Sequence, residues 1–203
     1  LAKNIEIVIV SSGAVALGRE ALNEKGKLSL QQKQAAAAIG QIQLMSGWRD
    51  AGKKHNFDVA QILLTALDCN ERERYNNSQN TIATLLARKI IPIINENDSV
   101  AVDEIKIGDN DRLAARVAQM VSADLLILFS DIDGLYNKNP KIARDAKLIL
   151  EVKKITKEIE EMAGGVTSNL GTGGMITKII AAKMATMSGC ETIISNGLVL
   201  GAV

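Results

Sequence analysis

The residues with the plainest chemical potential are Gly171, Thr172, Gly173, Gly174, Met175, Ile176, Thr177 and Lys178, a glycine-rich run that opens a predicted helix. Its three glycines leave backbone N–H groups uncovered, and the partial positive charge of a helix start favours anions. Such a run cradles phosphates, with Lys178 in the first turn, where charge develops during phosphoryl transfer. A flexible loop carrying a surface lysine has the same composition. As a GxGxxG motif the run fails at Ile176.

Four more segments carry unusual polarity at the ends of apolar runs. Ser11, Ser12, Gly13 and Ala14 are small enough for main-chain N–H groups to approach an anion, although an ordinary strand-to-helix turn reads the same way. A Walker A loop does not fit, because Gly13 and Gly18 are followed by Arg19 and Glu20. Asn95, Glu96, Asn97 and Asp98 offer charge-assisted hydrogen bonds to an amino acid, or else a capped turn. From Glu104 to Asp111 the chain places three acids, a lysine (Lys106) and an amide (Asn110) within one short stretch. Asp111 is also placed to cap the helix that follows. Ser130, Asp131, Asp133 and Tyr136 form the last segment and suit a nucleotide edge or ribose, without a Rossmann glycine fingerprint.

The elements that must position these groups are legible as periodic patterns. Near-continuous apolar runs at 5–10, 59–64, 90–94, 125–129 and 192–194 fit strands buried on both faces, as in a parallel sheet. Helical stretches at 29–54, 69–88, 111–121 and 174–188 lie between them. The alternation predicts an α/β fold, a doubly wound and mainly parallel sheet sandwiched by helices, with right-handed crossovers. In such a sheet ligands bind where strand ends lead into helices, and all five polar segments fall there. Asp68 followed by Glu71 has capping-box spacing for the helix at 69–88, and Gly189 stops the helix before the last strand.

Composition narrows the class. The chain has 203 residues, 47% hydrophobic and 23% charged, with a net charge of +1, enough for one sizeable globular domain. A neutral balance and only 2% aromatic residues argue against nucleic acid and anionic membranes as partners. Two separated cysteines, Cys69 and Cys190, and the single His55 make no zinc pattern and fit a reducing, cytoplasmic setting with buried thiols. No apolar run is long enough to span a bilayer.

Taken together, Ser11 to Ala14, Glu71 to Tyr75, Ile94 to Val102, Glu104 to Asp111, Ser130 to Tyr136 and Gly171 to Lys178 resemble the glutamate 5-kinases, a branch of the amino acid kinase family. The blocks occur in that family's order over nearly the whole chain, and Asn95-Glu96-Asn97-Asp98 joined to Lys106 through Asp111 is more specific than the fold. The resemblance implies ATP- and Mg2+-dependent phosphorylation of the L-glutamate γ-carboxylate, the first step of proline synthesis. It implies that Ser12, Gly13, Asp98 and Asn110 bind glutamate. Ser130, Asp131 and Thr172 through Lys178 would bind ATP. Lys178, Asp111 and Asp109 would be catalytic, the aspartates orienting lysines and magnesium-bound phosphates, with no directly assigned metal ligand. It also implies a homo-oligomer and raises proline as a candidate feedback inhibitor.

Departures from the family pattern set further expectations. A first strand with a Lys-x-Gly-Ser/Thr turn would precede Leu1, and a closing Gly-Thr region and an RNA-binding-like domain would follow Val203. The expectation is therefore one kinase domain incomplete at the N-terminus and at the C-terminus, with little activity in the bare chain. Asn139-Pro140 replaces an acidic residue often seen before that proline. Competing assignments are acetylglutamate kinase, aspartokinase or uridylate kinase, or a non-catalytic amino-acid sensor that kept the pocket but lost turnover.

Overall fold

The computed structural model describes residues 5–100, 110–164 and 174–201. These form two compact units, Leu1–Asn110 and Asp111–Val203. Each is built from parallel strands and helices, so the α/β expectation holds. Among the described residues the strands are bonded as two parallel sheets, one in each unit, where a single sheet was expected.

The first unit contains β1 (Ile9–Val10), α1 (Ala14–Ala21), α2 (Leu30–Lys54), β2 (Val59–Leu64), α3 (Ala66–Asn70), α4 (Arg72–Ala87) and β3 (Ile91–Glu96). Its sheet runs β1-β3-β2, and all pairings are parallel. Every residue of the central strand β3 is buried, which explains its unbroken apolar run. Ile93 and Ile94 are almost fully enclosed there, with Ile82 of α4. Removing each such side chain from water is worth about 1.5–3 kcal/mol. Two boundaries differ from expectation. Only Ile9–Val10 of the first apolar run is strand, and β3 continues through Asn95 and Glu96 instead of ending at Ile94.

The helix expected at 69–88 is two helices broken at Glu71, whose extended backbone (φ −83°, ψ 123°) ends one and starts the other. The capping box expected from Asp68 and Glu71 is shifted by one turn. Thr65 is the cap, its hydroxyl accepting from Asp68 N, while Asp68 accepts from Thr65 N at 2.7 Å. Asp68 is therefore the third residue of α3, not the cap of a longer helix. Its burial raises the carboxyl pKa, but the Thr65 hydrogen bonds and the neighbouring Arg74 outweigh this and leave it lowered.

Helices α1 and α2 touch backbone to backbone. A Cβ added at Gly18 would lie 1.7 Å from the Ala36 carbonyl oxygen, and one at Gly40 would lie 1.8 Å from the Ala14 carbonyl oxygen. Ala14, Gly18, Ala36 and Gly40 are all buried in this seam. Each helix presents two small residues four apart, one turn of the same face. Helix α2 starts at a complete capping box, Ser29 with Gln32.

The second unit contains α5 (Asn110–Met120, its first residue belonging to the first unit), β4 (Leu125–Ser130), α6 (Lys157–Met162), α7 (Met175–Met187) and β5 (Glu191–Asn196). Strands β4 and β5 pair in parallel from Leu125–Glu191 to Ser130–Asn196. In β4 burial alternates, Leu126 and Leu128 inside and Leu125 and Phe129 exposed, so the expectation of burial on both faces is not met at this strand. Helix α7 packs against β4 and β5, and α5 is tied to it by a hydrogen bond from the Gln119 amide to the Met184 carbonyl at 2.8 Å. The C-terminus of α7 is as expected: Ser188 closes it and Gly189 follows at φ 84°, in the left-handed region glycine favours. Of the two thiols, Cys190 is buried and Cys69 only half-buried.

The helix seam makes a stability prediction. Gly40→Ala forces backbone apart and should destabilise by about 1–3 kcal/mol or more. Gly47→Ala lies on the same helix in open space and should be neutral or stabilising by up to about 1 kcal/mol. Denaturant unfolding of the two variants checks the contrast.

Candidate active site

In the second unit the polar groups gather around the start of α7. Gly174 precedes the helix in an extended conformation, and an added Cβ there would meet no atom within 4 Å. Packing does not require glycine at this position. The space is instead the edge of a cavity of about 440 Å³, bounded by Phe129 to Ile132 at the end of β4 and the turn beyond it, and by Gly174, Met175 and Lys178 of the α7 start, with Gly197 after β5. Strand-end turns and a helix N-terminus thus line one opening, as the parallel-sheet rule requires.

Lys178 is held at that opening by a carboxylate. Its Nζ lies 2.8 Å from Asp111 Oδ1 and 3.1 Å from Oδ2, and both side chains are mostly enclosed, 12% and 14% exposed. The positions of the two groups explain each other. An acid in the first turn of α5 is favoured by that helix's dipole, whereas a cation in the first turn of α7 is disfavoured by its own. Pairing them removes the conflict. The Thr177 hydroxyl also lies 2.7 Å from Asp111 Oδ2.

Of the expected nucleotide-binding residues, Ser130, Asp131, Gly174, Met175 and Lys178 line the cavity. Ile176 is half-buried away from it, and Thr177 is buried with its hydroxyl turned to Asp111, so these two do not offer side chains to the opening. Thr172 and Gly173, and with them Asp109, lie outside the described residues. Asp131 is exposed, and a hydrogen bond and ion pair from Lys141 at 2.8 Å hold its pKa below the usual carboxylate range. Nearby, Asp133 accepts from the Tyr136 hydroxyl and from the Asn196 amide. Burial, and then the Asp133 carboxylate, push the Tyr136 pKa upward. Phe129 and Gly197 were missed by sequence reasoning. The strand-end rule would have reached Gly197 had the last strand been carried through Ser195 and Asn196.

In the first unit the expected acceptor-binding residues divide. The register Ile9↔Ile93 and Val10↔Ile94, continued by a 2.8 Å bond from Ser11 N to Ile94 O, puts the turns after β1 and β3 on one edge of one sheet. Ser12 and Gly13 leave that edge from β1 and Asp98 from β3, with neighbouring strands about 4.8 Å apart. Gly13 has φ 104° and caps α1 without a side chain, which glycine alone does cheaply. Asn110 is the first residue of α5. Asn95 and Glu96 are inside β3 and buried, and the Asn95 amide donates to Gln41 Oε1 at 2.9 Å. They brace the strand end instead of standing in the turn where a four-residue polar grip was expected. Ser11 is likewise structural, accepting from the Trp48 indole at 3.0 Å.

The amino acid kinase family pattern matches residues 1–196. The chain belongs to the amino acid kinase family. Amino acid kinase family relatives named glutamate 5-kinase include one from Paramagnetospirillum magneticum, 54% identical over 97% of this chain and 53% of its own length. Another, from Rhodopseudomonas palustris, is 55% identical over 95% of this chain and 51% of its own. The chain spans about half the length of these curated relatives. Among solved structures, an isopentenyl phosphate kinase from T. acidophilum superposes with a TM-score of 0.61 at 17% identity, covering 94% of this chain and 75% of that one. At that identity the likeness concerns the amino acid kinase fold alone.

The ion pair predicts an asymmetry. Asp111→Ala strands the Lys178 ammonium in a mostly enclosed site and should cost about 1–3 kcal/mol, while the Thr177 hydroxyl can turn to the Gly174 carbonyl. Lys178→Met leaves Asp111 with Thr177 and the α5 dipole and should cost less. Urea unfolding of both variants decides the order.

Proposed function

We propose that the chain is the catalytic part of a glutamate 5-kinase, which transfers the γ-phosphoryl group of ATP to the γ-carboxylate of L-glutamate. The observation that carries the kinase reading is Lys178, fixed by Asp111 at the mouth of a cavity lined by Ser130, Asp131 and Gly174. The acceptor is argued from relatives so named at 54% identity across 97% of the chain.

The chemistry asks little of the protein beyond alignment and charge. At neutral pH the acceptor is already a carboxylate, with a reference pKa of about 4.3, so no general base is needed. One of its oxygens forms a bond to the γ-phosphorus while the bond to the bridging oxygen of ADP breaks. Lys178 neutralises charge on the migrating group, and the N-terminal field of α7 faces the phosphates. Ser130 and Asp131 would hold the nucleoside end. On the acceptor side Ser12, Gly13, Asp98 and Asn110 would take the amino acid's carboxylates and ammonium by charge-assisted hydrogen bonds. Asp111 has its oxygens occupied by Lys178 and Thr177, which suits an orienting role. Mg2+ would be held by the triphosphate, where it neutralises charge. Asp109, Thr172 and Gly173 keep the family's roles in this proposal, as do a homo-oligomer and inhibition by proline. A cytoplasmic setting, with neither nucleic acid nor membrane as a partner, also belongs to it; among the described residues no helix is long and apolar enough to cross a membrane.

Steady-state phosphorylation by the full-length protein should favour glutamate over acetylglutamate, aspartate and uridylate. Equal or better turnover of one of these removes the acceptor assignment. Lys178→Ala should lower kcat by roughly 10²–10³-fold, the range for losing one electrostatic donor. Full activity of that variant would favour a non-catalytic sensor. Asp98→Ala should raise the KM for glutamate more than the KM for ATP.

A further inference from the structure

Thr177 has more bonds than a helix start requires. Its side-chain oxygen accepts from Gly174 N at 3.1 Å, the ordinary reciprocal cap of α7. The same oxygen lies 2.7 Å from two acceptors, the Gly174 carbonyl and Asp111 Oδ2. A hydroxyl carries one proton, so it can serve only one of them at a time. The Gly174 carbonyl already accepts from Thr177 N at 3.1 Å and Lys178 N at 3.3 Å. The ionised carboxylate is the stronger acceptor and gains more from the proton. This bond joins residues 66 apart in sequence and contributes nothing to capping.

We propose that Thr177 is a positioning residue whose hydroxyl fixes the Asp111 carboxylate, and through it the Lys178 ammonium, so that it sets turnover without touching the nucleotide. Its side chain faces away from the opening: Thr177 is 7% exposed and does not line the cavity wall that its neighbours Gly174, Met175 and Lys178 form. The carboxylate is held from two sides, by Thr177 on Oδ2 and by Lys178 across both oxygens. Without the hydroxyl, the carboxylate loses its short restraint on Oδ2 and keeps the long, flexible lysine across its oxygens.

The proposal rests on the kinase reading, and its test separates the two. In the full-length protein Thr177→Val keeps the shape and removes the hydroxyl, and Thr177→Ser keeps the hydroxyl. The valine variant should lose about tenfold in kcat, with the Kd of a non-hydrolysable ATP analogue, measured by calorimetry, unchanged within twofold. The serine variant should stay within twofold of wild type on both. A crystal structure of the valine variant should show the Asp111 carboxylate turned and its contact with Lys178 altered. Thr177→Ala replaces valine if the latter is not recovered folded. An intact ion pair with unchanged kcat overturns the proposal, as does a tenfold weaker analogue with unchanged kcat, which would make Thr177 a nucleotide contact. Wild-type turnover with another acceptor would defeat the glutamate assignment and leave this comparison valid with that acceptor.

Discussion

A cation placed at the start of a helix works against the field of the backbone behind it, and the second unit is arranged around the resolution of that conflict. Asp111 has the opposite problem solved in advance, since the first turn of α5 favours a carboxylate. Bringing the two helix starts together lets the acid neutralise Lys178 while both remain mostly enclosed. The lysine therefore stands in a fixed place without collapsing onto solvent, and the N-terminal field of α7 remains available to an anion. On the proposed reading, what the cavity can do with a phosphate follows from that balance.

Much of the framework could be read from the chain because it obeys local rules. β2 was expected at 59–64 and is Val59–Leu64, and α7 was expected between Gly174 and Ser188, its two caps. Apolar runs mark β3, β4 and β5 to within two residues. The errors have local causes too. Thr65, not Asp68, caps α3, although the threonine-to-acid spacing of three was present in the sequence. The break at Glu71 was not visible, because the residue is a competent helix former forced into extended backbone by the turn it makes.

The site was legible by residue type but not by partner. Asp111 and Lys178 were both singled out, and their ion pair spans 67 residues of chain. Asn95 reads equally as a binding group or part of a capped turn, because an amide at a strand end looks the same whether it meets a ligand or Gln41, 54 residues away. Thr177 was grouped with the phosphate loop for the same reason. Polar residues state what they can donate or accept, and only tertiary structure states to whom.

The seam between α1 and α2 has a consequence for altering the acceptor. Gly13 and Ala14 begin α1, and Ala14 is itself pressed against Gly40 through its carbonyl oxygen. The turn after β1 thus inherits its location from a main-chain strut, with no rotatable side chain in between to absorb change. If Ser12 and Asp98 recognise the acceptor as proposed, redesign can vary the groups that project from them while the scaffold beneath stays put, whereas any residue larger than glycine at the strut moves the whole turn.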